Sequence, residues 1–352
     1  MDGLPPIGTI FTNTTFCNIL CVQISNDSDL NDRKRAHMIA SVLDSIGKTP
    51  LIRLNKVVSS VIPAVFAKAE MLNPGGSTKD RVARHMIEDA EARGLIKAGG
   101  TIVEPTIGNT GIGLAIVVAV KGYRAIFVMP DKVSQDKIAV LQAYGAEIVL
   151  APTNVPAGAS NSYLSVARQI AIELPGAFMP DQFSNAANPD THYMTTGPEI
   201  WEQTDGKVGV LVSGLGSGGA ISGAGKYLKE RNPKIMIVGA DPQGSILSGG
   251  SPHSYKVEGV GQNFIPDVMT LSLIDRWVRV DDRDAFLMAR RIACEEGILV
   301  GGSSGLALCA ALNVCADLDP STVVVVLFMD TGRNYLSKIF CDKWMKENKF
   351  LD

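Results

Sequence analysis

The chain has 352 residues, 46% of them hydrophobic, with 35 glycines and a formal net charge of -3. That length supports a large core split between two lobes, and the glycine content suits an α/β protein with many strand-to-helix turns. The charge balance excludes the basic footprint that nucleic acid or an anionic membrane surface requires, and six scattered cysteines make no disulfide framework, which points to reduced thiols in a cytoplasmic setting.

Residues 1–38 read as an N-terminal arm, poorly ordered or used as an oligomer contact. Its apolar stretch Ile7–Ile24 is broken by Thr, Asn and Gln, and no basic residue comes before Arg33. Signal peptide, membrane span and basic presequence are all disfavoured. The globular part opens with a helical turn over Val42–Ile46 and the strands Leu51–Leu54 and Val65–Ala69. Apolar spacing over Val82, Met86 and Ala90 predicts a helix ending at Gly94. Strands and helices then alternate: strand 101–104, helix 111–121, strand 124–129, helix 135–144, strand 148–151, helix 163–173. Residues 182–195 read as loop, followed by a helix at 197–203. Strand 208–213, helix 221–231 and strand 235–240 continue the rhythm. After an irregular stretch come strand 277–280, helix 282–296, a Gly-rich loop at 301–305, helix 306–317 and strand 322–328. This alternation implies parallel sheets covered by helices.

Asn73–Arg81 holds Lys79 at the end of a Gly/Ser/Thr turn with a helix after it. Burial in such a turn disfavours the ammonium ion and leaves an amine able to form a Schiff base. A capping turn with a solvated lysine is the alternative. A phosphate-binding P-loop does not fit, because Thr78 precedes the lysine and Asp80 follows it. Ser213–Ala220 follows an apolar strand and opens a helix, a place where backbone N–H groups hold phosphate. Gly214, Gly216 and Gly219 also satisfy G-x-G-x-x-G, so a dinucleotide site stays open. Glu104–Gly111 is a further helix-opening turn, suited to an anion such as a carboxylate or simply to capping. Val300–Gly305 presents Ser303, a residue able to hydrogen-bond a ring nitrogen without protonating it. His37, His85, His192 and His253 are isolated, so no metal site is expected; Cys17 and Cys21 with His37 form the one weak set for metal or haem.

Taken together these runs resemble the fold-type-II pyridoxal-phosphate (PLP) enzymes, the tryptophan synthase β-like α/β fold with two lobes. Within that group the chain is similar to cystathionine β-synthase and cysteine synthase, and overall closest to the catalytic core of the former. Ile46–Leu51, Asn73–Arg81, Pro105–Ala115, Gly216–Gly219 and Arg333–Trp344 carry the likeness, while Asp181–Trp201 is nearer cysteine synthase. The resemblance implies a larger lobe of residues 39–71 plus 186–352 and a smaller lobe of residues 72–185. It gives Lys79 the covalent hold on the cofactor and the proton transfer at the substrate α-carbon. Asn109 would contact the cofactor 3′-hydroxyl; Gly216, Ser217, Gly218, Gly219 and Ala220 its phosphate; Ser303 its ring nitrogen. Thr106, Ile107, Asn109, Thr110 and Gln182 would line the substrate carboxylate site. The implied reaction is β-replacement on L-serine or an O-activated serine by a thiol, in a homodimer, with small-molecule partners only.

Four positions depart from the family pattern. Ile107 stands where these enzymes usually carry Ser, which removes a hydroxyl worth about 1.5–3 kcal/mol to a charged carboxylate and raises a second reading, a catalytically weak PLP-binding sensor. Ala220 replaces Thr, Phe183 replaces Tyr, and Gln262 occupies an aromatic position near the second substrate. With Asp352 as the last residue, no C-terminal regulatory tandem is expected.

Overall fold

Short β-branched runs set the strands, and the most apolar of them lie deepest. From the N-terminal side come a 3-10 turn at Val42–Ser45, β1 (Leu51–Arg53) and β2 (Ala64–Ala69). The helix α1 (Lys79–Ala92) follows, then β3 (Thr101–Pro105), α2 (Asn109–Lys121), β4 (Arg124–Pro130), α3 (Gln135–Ala143), β5 (Glu147–Ala151), α4 (Tyr163–Glu173) and β6 (Ala177–Phe178). Next are α5 (Ala187–Thr191), a π-helical turn (His192–Thr196) and α6 (Gly197–Gln203). The remainder is β7 (Val208–Gly214), α7 (Gly219–Arg231), β8 (Met236–Pro242), β9 (Arg276–Val280), α8 (Asp282–Arg291), α9 (Gly302–Cys315), β10 (Val323–Phe328) and α10 (Asp342–Glu347). The computed structural model describes residues 38–106, 108–133, 135–152, 155 and 159–352.

Ser41–Asp352 forms one unit built on two sheets. The larger has the order β1-β2-β10-β7-β8-β9 and the smaller β5-β4-β3-β6. Every pairing is parallel except the edge, where β1 runs antiparallel to β2 with Leu51 opposite Lys68. The run Val-Val-Val-Val-Leu-Phe of β10 is buried from its second residue onward, as a central strand covered on both faces must be. The helix α9 is apolar all round and packs beside it. Loops after β2, β3, β7 and β10 all leave from the carboxyl ends of parallel strands, which is where open α/β sheets bind ligands.

The mixed α/β architecture with parallel sheets agrees with the sequence reading, and several boundaries correct it. The stretch 182–195 is largely helical rather than loop. Pro189 sits in the first turn of α5, where a missing N–H costs nothing, and Pro198 follows directly on the π-helical turn. The helix after the lysine turn starts at Lys79 itself, not Val82. Residues 302–305 are the first turn of α9 rather than a loop, so Ser303 belongs to a helix start. The two-residue strand β6 is too short to leave a periodic signal.

Candidate active site

Two backbone hydrogen bonds pin the lysine turn to the segment that follows β10. Thr78 N–H donates to Met329 O and Thr331 N–H donates to Gly76 O, both at 2.9 Å, which sets Ser77 opposite Asp330 as an antiparallel bridge pair. Gly76 takes φ +80°, and an added methyl there would meet Thr331 Cγ2 at 2.8 Å, so glycine is required. By surface area Lys79 is half-buried, open enough to meet a small solute. The atoms packed round its amine nevertheless disfavour the ammonium ion and lower its pKa to about 8, with Asp330 opposing the shift. Beside it, the carboxyl of Asp80 accepts from Gly75 N–H at 2.6 Å, and burial raises its pKa to about 7.

Behind the turn lies a buried ion network. Arg81 grips Glu70 through Nε at 2.7 Å and Nη2 at 2.9 Å, and Glu199 through Nη1 at 2.7 Å and Nη2 at 2.8 Å. Lys68, fully buried, donates to Glu199 at 2.6 Å, to Thr49 O and to Gln203. Burial would drive Glu70 neutral, but Arg81 outweighs it and holds that carboxyl down to about 2. Desolvation wins at Lys68, whose pKa is lowered despite its carboxylate partner.

The turn after β3 brings its polar side chains to the same place. Thr106 Oγ1 accepts from Gly111 N–H at 3.1 Å and Gly108 N–H at 3.4 Å, so this hydroxyl shapes its own loop. Asn109 Nδ2 donates to Asp330 Oδ2 at 2.8 Å, and the Tyr335 hydroxyl donates to the same oxygen at 2.6 Å. Asp330 is buried and its other oxygen has no partner among the described residues. Thr110 Oγ1 donates to Gln182 Oε1 at 2.8 Å, joining two residues that the sequence reading assigned to one carboxylate. Glu104, at the end of β3, accepts from Asp181 N–H at 3.1 Å and so fixes the left-handed corner (φ +49°) that carries Gln182. Burial lifts the Glu104 carboxyl to about 8. Ile107 lies outside the described residues, as do Cys17, Cys21 and His37.

The loop between β7 and α7 tests whether a phosphate fits. No acceptor among the described residues meets the N–H groups of Gly216, Ser217, Gly218, Gly219 or Ala220, and they open a 13-residue helix. Side chains are excluded from this cradle. A methyl on Gly216 would stand 2.3 Å from Gly259 O, one on Gly219 2.0 Å from Asn188 Oδ1, and Gly218 takes φ +81°. Ser217 is buried and its Oγ accepts from Asn188 Nδ2 at 3.0 Å. Unspent donors at a helix N-terminus suit an anion. Ser303 is buried in the first turn of α9, and its hydroxyl makes no hydrogen bond among the described residues. A phosphate cradle, a perturbed amine and a neutral hydroxyl are the donor set that a phosphorylated pyridine aldehyde needs, so the residues fit it.

Sequence reading gave no individual role to Asp330, Tyr335, Asn188, Glu104 or Glu258, although Glu104, Asn188 and Tyr335 lie in runs it singled out. Asp330 carried one signal, an acid directly after an apolar strand. Glu258 is held by Lys137 of α3 at 2.8 Å and by Lys338, tying the smaller sheet to the loop beside Gly216.

Comparison with known proteins gives a consistent picture. The family model described as pyridoxal-phosphate dependent enzyme matches residues 42–330. Cystathionine β-synthase of Dictyostelium discoideum is 46% identical over 317 residues, covering 89% of this chain and 64% of that protein. This chain thus spans under two thirds of the length of that relative. A probable cysteine synthase of Bacillus subtilis is 45% identical over 304 residues, covering 85% of this chain and 97% of its own. Among solved structures, the O-acetylserine-dependent cystathionine β-synthase of Helicobacter pylori superposes with a TM-score of 0.80 at 38% identity, covering 86% of this chain and 98% of that one.

Proposed function

Because this chain belongs to the family of pyridoxal-phosphate-dependent enzymes, we propose that it catalyses β-replacement on L-serine or an O-activated serine with a thiol acceptor. Serine plus homocysteine giving cystathionine is the favoured pair. The observation that carries this reading is the Thr110–Gln182 hydrogen bond at the helix start beside Asn109, which itself bonds the Asp330 carboxylate next to Lys79. A carboxylate-binding corner thereby stands beside a neutralisable amine, the pairing that α-proton chemistry on an amino acid requires. Cysteine synthase activity, O-acetylserine plus sulfide, is the second reading; the run Asp181–Trp201 and the full-length match to the Bacillus relative support it.

When bound, the cofactor supplies the electron sink for bond cleavage at the substrate α-carbon. Lys79 would hold its aldehyde carbon, Asn109 its 3′-hydroxyl, Ser303 its ring nitrogen, and Gly216, Ser217, Gly218, Gly219 and Ala220 its phosphate. Near neutral pH a useful fraction of the Lys79 amine is unprotonated, so it can take a proton from the α-carbon and return it. Thr110 and Gln182 orient the substrate carboxylate, with Thr106 on the same turn; the sequence assigns Ile107 to this group as well. A neutral serine at the ring nitrogen leaves the ring less electron-withdrawing, which favours elimination of the β-substituent over transamination.

The two sheets support a smaller lobe of residues 72–185 and a larger one of 39–71 plus 186–352. A homodimer in the cytoplasm fits the family. The test is an assay of purified protein with serine plus homocysteine against O-acetylserine plus sulfide. Preference above tenfold for the first pair supports the favoured reading, and preference for the second selects cysteine synthase. Bound cofactor without turnover of either pair defeats both and selects the sensor that Ile107 suggests.

A further inference from the structure

We propose that Asn188 is a positioning residue that couples the phosphate loop to the substrate-carboxylate corner, an inference that rests on the assignment of Ser217 and Gln182 given above. Asn188 stands in the first turn of α5 and is fully buried. Its Nδ2 donates to Gln182 O at 2.7 Å and to Ser217 Oγ at 3.0 Å, which uses both amide hydrogens. The carbonyl acceptor fixes which end of the amide faces which way. Asn188 Oδ1 is buried without a partner among the described residues and lies so close to Gly219 that an added methyl there would stand 2.0 Å away. The amide is wedged against the start of α7, with its backbone held by Asn185 O at 3.0 Å.

This one amide sets the donors at both ends. Ser217 Oγ accepts from Asn188, so its own hydrogen is left for another acceptor, and none occurs among the described residues. At the other end Gln182 has its backbone carbonyl tied to Asn188 and its Oε1 tied to Thr110, which leaves Nε2 as the unspent donor. An anion in the loop that draws the Ser217 proton makes Oγ a better acceptor. It thereby strengthens the Asn188–Ser217 bond and fixes the position of the amide that also holds Gln182 O. Occupancy of the phosphate cradle and affinity for the carboxylate are therefore linked, and a corner steadied in this way binds a carboxylate before any chemistry begins.

Two binding measurements on the full chain test this, and neither needs turnover, so failure of the proposed reaction would leave both readable. Calorimetry of the cofactor-free chain gives its affinity for inorganic phosphate. Absorbance titration of the cofactor-loaded chain with L-alanine, which has no β leaving group, gives affinity at the carboxylate corner. Asn188→Ala is expected to weaken both by about two- to tenfold, the scale of one lost hydrogen bond between neutral groups. Ser217→Ala is expected to weaken L-alanine binding although Ser217 belongs to the other end, and the double variant to be no worse than Asn188→Ala. Additive losses, or a folded Asn188→Ala that binds phosphate as the parent does, would overturn the coupling. Should Asn188→Ala fail to fold, unchanged L-alanine affinity in Ser217→Ala overturns it alone.

Discussion

Replacing Arg81 by methionine keeps the length and apolar stem of the side chain and removes its charge. Four hydrogen bonds to Glu70 and Glu199 go with it, and Glu70 stays fully buried beside Thr49 and Asn73. Breaking a buried pair from one side costs about 3–5 kcal/mol, which for a chain of this size lowers Tm by roughly 4–7 °C. The loss depends on pH. In the parent, the folded pKa of Glu70, about 2, sits below its ordinary 4.5. The resulting stabilisation, about 3 kcal/mol, is complete above pH 4.5 and disappears as pH falls toward 2. Without Arg81, burial pushes that carboxyl above 4.5, so it takes up a proton and sheds its uncompensated charge. The Tm gap between parent and Arg81→Met, measured by calorimetry from pH 8 to pH 4, is therefore expected to narrow steadily. A gap that stays constant over that range, or one below about 2 °C at pH 8, would refute the ion-network argument.

Lys79→Ala is expected to abolish the borohydride-reducible link to the cofactor, read as loss of covalently retained chromophore after reduction; retention equal to the parent contradicts the assignment of the amine. Gly219→Ala drives a methyl onto Asn188 Oδ1 and should weaken cofactor binding at least about tenfold in absorbance titrations, with Ala at Gly249, where only Arg279 comes within 4 Å, as the strained but uncrowded control. Glu104 has a folded pKa raised from 4.5 to about 8, so it costs stability progressively as pH rises through that interval. Glu104→Gln, which keeps an acceptor for Asp181 N–H, should flatten the fall in Tm between pH 5 and pH 8; an unchanged slope would show that the parent carboxyl ionises normally.

Much of the architecture is legible because the physics is local. The Val-rich run of β10 can only be a covered strand, and the glycines of 214–219 mark a backbone that must come close to something. The lysine turn declares itself through its Gly, Ser and Thr. What stays hidden are groups whose meaning comes from distant neighbours. Asp330 reads as an ordinary acid after a strand until Asn109, Tyr335 and Lys79 surround it. Asn188 lies between prolines and alanines in a stretch that looks like loop, and its amide gains a task only when Gln182 and Ser217 arrive on either side. Arg81 and Glu199 share the same difficulty: each is unremarkable on its own helix, and only the fold brings them to one buried point.

The strand order has a consequence for how the chain comes into being. The smaller sheet is drawn wholly from residues 101–178, so all its pieces leave the ribosome early and in succession. The larger sheet waits: β10 stands between β2 and β7 and is the last strand to be made. Until it emerges, β2 and β7 expose facing, unpaired edges, which invite wrong partners. Nascent chains halted before residue 323 should therefore resist protease across 101–178 while remaining cleavable in the strands that flank the missing one. Protection of those flanking strands in such chains would show that they find another arrangement first.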